Sequence, residues 1–312
     1  MASSSFKVAL VQTWPKPLAP EDNFKYAEEQ IRKAASEGIA LAPSFALTTA
    51  QAQGYLQRYQ RLAAELHVNI CAGTIVLHAW DPIDGKQPPY INTSYFIDHH
   101  GQVLGEYTKT NLWIPERQHL TSNIDHARQT QTENATFSPH QVIETPLGRV
   151  GILVCWDTAF PEAFRQLVLA GAKIIIIPSF WTLRDMSEEG LQHNAECERL
   201  FVQSTLVTRA FESTAALIFC NAGGPAEEGF FGCSQVALPI VGKVPGSFDD
   251  GSEGTRVVDV DMKLVDIAER NYRIRQDLGR EDWHYGYTKV KKAAAESASS
   301  AVVKRDTTIA QL

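Results

Sequence analysis

The chain has 312 residues, 44% of them hydrophobic and 21% charged. That composition is globular and excludes wholesale disorder, collagen-like repeats and fibrous coiled coil; the length suits one large α/β or sandwich domain as well as two smaller ones. With 36 acidic against 29 basic residues the net charge is -7, which argues against nucleic acid as a partner and favours a protein acting on small molecules.

The start, MASSSFKVALVQTW, has no charged n-region, long apolar core or small-residue cleavage site. Residues 6–12 (FKVALVQ) are expected to form a buried strand. Residues 21–37 show helical spacing, with Phe24, Ala27, Ile31 and Ala34 on one face and Gly38 closing the helix. A short strand over 39–42, a helix over 55–66 (YLQRYQRLAAEL) and a buried strand over 69–76 (NICAGTIV) follow. Residues 92–97 and 103–108 flank the polar turn His99–His100–Gly101 and read as a β-hairpin.

A further β-α-β unit is expected from residues 150–155 (VGILVC), a helix over 161–170 and a strand over 173–178 (KIIIIP). A long helix over 187–211 then precedes the buried strand 215–222, with late antiparallel candidates over 235–241 and 256–260. From Lys289 the composition turns to Ala, Ser and Lys, which reads as an exposed helix and a frayed tail. No stretch approaches 18 uninterrupted apolar residues, so no membrane span is expected. With no linker between residues 6 and 285, one domain over 6–285 and a tail over 286–312 is the simplest division.

Cys71, Cys155, Cys197, Cys220 and Cys233 form no CxxC pair and are too sparse for a disulfide framework, which points to a reducing, cytoplasmic setting. Cys155 stands apart because an apolar strand leads into it and a polar turn and helix, WDTAFPE, lead away. Carboxyl ends of strands in open α/β sheets are where ligands bind, and a helix N-terminus or an ammonium group there lowers a thiol's pKa. The alternative is a core cysteine packed as a small hydrophobe.

GILVCWDTAFPE at residues 151–162 resembles the nucleophile motif of the nitrilase superfamily, the carbon–nitrogen hydrolases. AGAKIIIIPSFW at 170–181 is similar to that family's next strand, and TRAFES at 208–213 to its Arg-Ala-x-Glu-Asn helix, with Ser in place of Asn. YTKTNLWIPER at 107–117 is similar to its lysine motif, and FKVALVQ to its first strand. KxNLW and CWDxxFPE are closest to the fungal-type branch.

The resemblance implies an α-β-β-α sandwich that pairs into a four-layer homodimer or higher homo-oligomer. It implies a Glu-Lys-Cys triad, often with a second glutamate, acting on a small amide or nitrile with no metal or organic cofactor. Carried over by motif, Cys155 is the nucleophile, Lys109 the oxyanion-side cation and Glu116 the second carboxylate. Each type suits its part, since a thiolate attacks only with a base in reach and an acyl-thioester route needs a donor aimed at the oxyanion. Trp156 and Trp181 are candidates for lining the acyl pocket or for aromatic packing. Glu162, after proline at a helix start, reads as structural.

The family's first glutamate follows a proline at the end of its second strand. Here Pro43 is followed by Ser44, which falls at the substrate side of the site and cannot accept a proton at neutral pH. Losing such a group typically costs about 10²- to 10⁴-fold in rate. Three readings follow: a weakened hydrolase in which Glu116 partly compensates, an inactive binding or scaffold protein on the same fold, or a deletion in this segment. Gly223-Gly224 lacks nucleotide-loop spacing, and the nine histidines show no metal-ligand spacing.

Overall fold

A computed structural model describes residues 5–17, 19–38, 41–44, 47–48, 52–78, 89–130 and 138–283. The first half of the chain is laid down around β1 (Ser5–Gln12), whose apolar run is buried on both faces. Val8 and Leu10 face one core, while Ala9 and Val11 face another that holds Phe24 and Ile31 of helix α1 (Pro20–Ala35) and Tyr55, Tyr59 and Leu62 of α2 (Ala52–Leu66). This period-two division is what a strand between a helical layer and a second sheet requires.

β1 is flanked by β2 (Leu41–Ser44), running parallel to it, and by a late antiparallel strand. The sheet continues through β4 (Asn69–His78), β5 (Tyr90–Ile97) and β6 (Val103–Thr108), with the short β3 (Leu47–Thr48) also paired to β4. β5 and β6 form the expected hairpin around His99 to Gly101. A short helix, α3 (Asn123–Gln129), is capped by the Ser122 hydroxyl, which accepts from the Asp125 N–H.

The second sheet is built from β7 (Val142–Thr145), β8 (Gly148–Ile152), β9 (Ile174–Ser179), β10 (Ala216–Asn221), β11 (Gln235–Leu238) and β12 (Gly242–Lys243), in the order β12-β11-β10-β9-β8-β7. Its central strands are parallel, joined by crossovers through α4 (Pro161–Leu169) and through α5 (Glu188–His193) with α6 (Cys197–Ser213). β13 (Gly254–Asp261) returns to pair with β1, and α7 (Met262–Tyr272) follows. One core cluster joins Val8, Leu10, Cys71 and Phe96 of the first sheet to Ile152, Ile175 and Phe219 of the second and to Phe164 and Leu206 of the helices. The fold is thus an α-β-β-α sandwich, as the motif resemblance implies.

Met1–Ile274 forms one compact unit and Arg275–Leu312 a second. Of the latter, residues 275–283 are described, containing most of the short helix α8 (Ile274–Leu278). The helix expected from Lys289 lies outside the described residues.

Most boundaries shift by one to three residues, and three differences change an element. The strand expected over 150–155 stops at Ile152, so Cys155 opens a 3-10 turn, Cys155–Ala159, rather than ending a strand. The helix expected over 187–211 is two helices: Asn194 is extended, and its side chain accepts from the Glu196 N–H, competing with helix continuation. The strand expected over 235–241 ends at Leu238, because Ile240 turns the chain with φ 76°.

Gly151 in β8 lies against α4: a Cβ there would sit 2.6 and 2.8 Å from the methyl carbons of Leu167, itself fully buried. Gly151→Ala is expected to destabilise the fold by about 1–3 kcal/mol through overpacking. Urea unfolding checks this; Leu167→Ala alone costs about 2–5 kcal/mol, and the double variant should lose less than the sum of the two single losses.

Candidate active site

Two chain segments from different sheets meet at the ends of β6 and β8. Tyr107, Lys109 and Asn111 lie at and beyond the end of β6; Cys155 and Asp157 lie in the turn after β8. Asp157 is fully buried. Its Oδ1 accepts from the backbone and side-chain N–H groups of Asn111, both at 2.8 Å, and its Oδ2 from the Val154 N–H and the Tyr107 hydroxyl, both at 2.9 Å. The Tyr107 proton is committed to Asp157, so His140 Nδ1, 3.2 Å from the phenolic oxygen, donates to it. Burial holds the His140 imidazole below its ordinary pKa and raises that of Tyr107, so both stay neutral in this network.

Lys109 is 1% exposed, and its ammonium is 2.6 and 2.7 Å from the two carboxylate oxygens of Glu116. The intervening chain folds back through a 3-10 turn, Pro115–Gln118. The Trp113 N–H donates to Glu116 Oε2 at 2.7 Å and fixes the carboxylate. Burial disfavours the ammonium, but Cys155 and Glu116 more than offset it, so the Lys109 pKa lies above its ordinary value.

Cys155 adopts φ 48°, a left-handed conformation uncommon for a non-glycine residue. Its thiol is 3.6 Å from the Phe180 carbonyl, to which it donates. Burial pushes the thiol pKa up, against the opposing pull of Lys109 and the Ser179 hydroxyl. The sequence expectation of a lowered pKa is therefore corrected: desolvation outweighs the neighbouring cation.

These groups open onto a cavity of about 280 Å³ lined by Lys109, Trp113, Glu116, Cys155, Trp156, Phe180, Trp181 and Asp185. Trp181 is buried and pinned: its backbone N–H donates to Asn221 Oδ1, its carbonyl accepts from Asn221 Nδ2 and its indole donates to Glu198 at 2.6 Å. Trp156 packs between Trp113 and Trp181, with ring centroids 4.5 and 5.5 Å away. Five residues picked out in the sequence, Cys155, Lys109, Glu116, Trp156 and Trp181, are thus brought together in one cavity. Ser44 is the last residue of β2, paired with Ala72 of β4, and its side chain lies outside what is described. Glu162 sits in the first turn of α4.

Trp113, Phe180 and Asp185 were not anticipated as cavity-lining. Asp185 closes a 3-10 turn, Leu183–Asp185, where its Oδ2 accepts from the Thr182 N–H at 3.0 Å. The Thr-x-x-Asp spacing signals that turn but not its place in a pocket. Gly223 and Gly224, set aside as a nucleotide loop, have a packing reason: Cβ atoms there would come within 2.8 Å of Gln12 and of Phe230, respectively.

A cysteine, a lysine and a carboxylate gathered at strand ends in a largely aromatic cavity can support nucleophilic acyl chemistry. The family model for carbon-nitrogen hydrolases matches residues 7–270, and the chain belongs to that family. A probable nitrilase from Schizosaccharomyces pombe is 29% identical over 245 residues, 78% of this chain and 72% of that one. The crystal structure of a carbon-nitrogen hydrolase from Helicobacter pylori superposes with a TM-score of 0.71 at 18% identity, covering 90% of this chain and 97% of that one. A glutamate-to-glutamine variant of an amidase from Nesterenkonia sp., which carries the acetamide moiety of fluoroacetamide covalently at its active-site cysteine, superposes with a TM-score of 0.63 at 21% identity, covering 88% and 98%. At these identities the two structures share the fold.

The raised thiol pKa gives a direct expectation. Alkylation of Cys155 by iodoacetamide in the unliganded protein should rise with pH through a midpoint above about 8.5, the range of a free thiol. Lys109→Met removes the main charge favouring the thiolate, so labelling at pH 7 should slow by roughly tenfold. Mass-resolved labelling rates against pH check both.

Proposed function

We propose that this chain hydrolyses non-peptide carbon–nitrogen bonds of small amides or nitriles through an acyl-thioester on Cys155. The observation that carries the reading is the convergence of Cys155, Lys109 and Glu116 on one cavity. The Cys155 sulfur attacks the amide carbon, and the oxygen that becomes negative is stabilised by the Lys109 ammonium. The thiol proton passes to Glu116 and from there to the leaving nitrogen, which departs as ammonia or an amine. Water then adds to the thioester, returns a proton to the sulfur and releases the acid. With a nitrile, the first adduct is a thioimidate, and water addition with loss of ammonia joins the same path.

Glu116 is assigned the proton because the usual position offers no acid. Residues 38–64 contain neither Asp nor Glu, so the stretch around Ser44 cannot supply a carboxylate. This shortfall supports a second reading, a non-catalytic binding or scaffold protein on the same fold.

A panel of amides and nitriles with intact-mass detection of a covalent intermediate separates the readings. The expected result is an acyl adduct with at least one substrate, absent in Cys155→Ala; labelling unaffected by that change would sink the nucleophile assignment. Glu116→Gln should lower kcat by about 10²- to 10⁴-fold. If wild type turns over nothing and Ser44→Glu creates activity, the binding-protein reading stands.

A further inference from the structure

The charges that line the cavity do not balance. Lys109 and Glu116 neutralise each other at 2.6 Å, which leaves the Asp185 carboxylate. Among the described residues, its one recorded hydrogen-bond partner is the Thr182 N–H, on Oδ2. The adjacent Arg184 guanidinium is engaged elsewhere, donating to the Glu227 carbonyl at 2.8 Å. Burial, with the charges of Glu198 and Glu116 added, raises the Asp185 pKa, and the Thr182 N–H and Lys109 only partly oppose them. A carboxylate is thus held in a largely desolvated site that Lys109, already paired with Glu116, only partly compensates, an arrangement that disfavours anionic ligands and rewards one that brings positive charge.

The cavity walls have the same preference for an independent reason. Trp113, Trp156, Trp181 and Phe180 are among the residues lining the cavity, and aromatic rings attract alkylammonium and guanidinium groups. A hydrophobic residue in place of Asp185 would complete an apolar acyl pocket; an aspartate among the rings makes a cation subsite.

Resting on the hydrolase reading above, we infer that the substrates are small amides or nitriles bearing an organic cation, an ammonium or guanidinium, held by Asp185 and the tryptophan walls while the carbon under attack lies at Cys155. The cavity of about 280 Å³ fits a short-chain compound.

Three primary amides of similar size test this: 5-aminopentanamide, hexanamide and glutaramic acid, which are cationic, neutral and anionic at pH 7. Wild-type kcat/KM should favour 5-aminopentanamide over hexanamide by about 10-fold or more, with glutaramic acid the poorest. Asp185→Asn retains an oxygen to accept from Thr182 and should bring the cationic-to-neutral ratio close to one. A ratio unchanged by Asp185→Asn, including an equal fall for both amides, overturns the proposal and reassigns Asp185 to the chemistry or to the fold. Calorimetric titration of the Cys155→Ala protein with the same amides reads the preference without turnover. If no amide is hydrolysed but that protein binds 5-aminopentanamide more tightly than hexanamide, the cation subsite stands and the hydrolysis reading falls. If it binds both equally, the cation subsite falls.

Discussion

The buried carboxylate of Asp157 sets the relation between the two halves of the candidate site. It accepts hydrogen bonds from Tyr107 and Asn111, which belong to the chain around Lys109, and from Val154, which precedes Cys155. The lysine strand and the cysteine turn come from different sheets, and apolar packing between sheets tolerates small slides that would move an ammonium relative to a thiol. An anion with four fixed donors does not tolerate them, because each lost partner leaves a buried charge less well satisfied. The same carboxylate accepts the Val154 N–H at the start of the tight turn in which Cys155 adopts φ 48°. That unusual backbone conformation is held by its surroundings, as strained functional positions require.

Much of this architecture was legible in the sequence because burial on both faces leaves continuous apolar strands. Residues 6–12, 69–76 and 173–178 carry that mark, and the structure turns each into a strand buried against a helix layer and a facing sheet. The Phe24, Ala27, Ile31, Ala34 stripe likewise became the buried face of α1. What failed was local competition. Asn194 interrupts a continuous helical pattern because its side chain offers the backbone another partner. The end of β8 was misplaced because the apolar residues Leu153 and Val154 are buried whether or not they are in a strand.

The site was legible by motif more than by periodicity. Lys109 and Glu116 are seven apart, and no helix or strand repeat predicts that they touch; the fold-back through Pro115 does it. Asp185 illustrates the limit, since Thr-x-x-Asp signals only a capped turn. Its membership of the cavity depends on β9 delivering Phe180 and Trp181 beside Cys155, and on Asn221 and Glu198 holding Trp181 there.

The electrostatics of the pocket bear on how the proposed chemistry starts. The Cys155 thiol is held above its ordinary pKa and donates to the Phe180 carbonyl, while both oxygens of Glu116 accept from Lys109. Each group is therefore satisfied by a partner other than the one it needs in the reaction. For hydrolysis, the thiol must rotate away from Phe180, and Glu116 must give up part of its hold on Lys109. A substrate carbonyl provides the reason for both changes, since negative charge developing on its oxygen draws the Lys109 ammonium and frees a carboxylate oxygen for the proton. On the proposed route, thiolate formation is then coupled to attack, in keeping with a thiol that burial holds above its ordinary pKa.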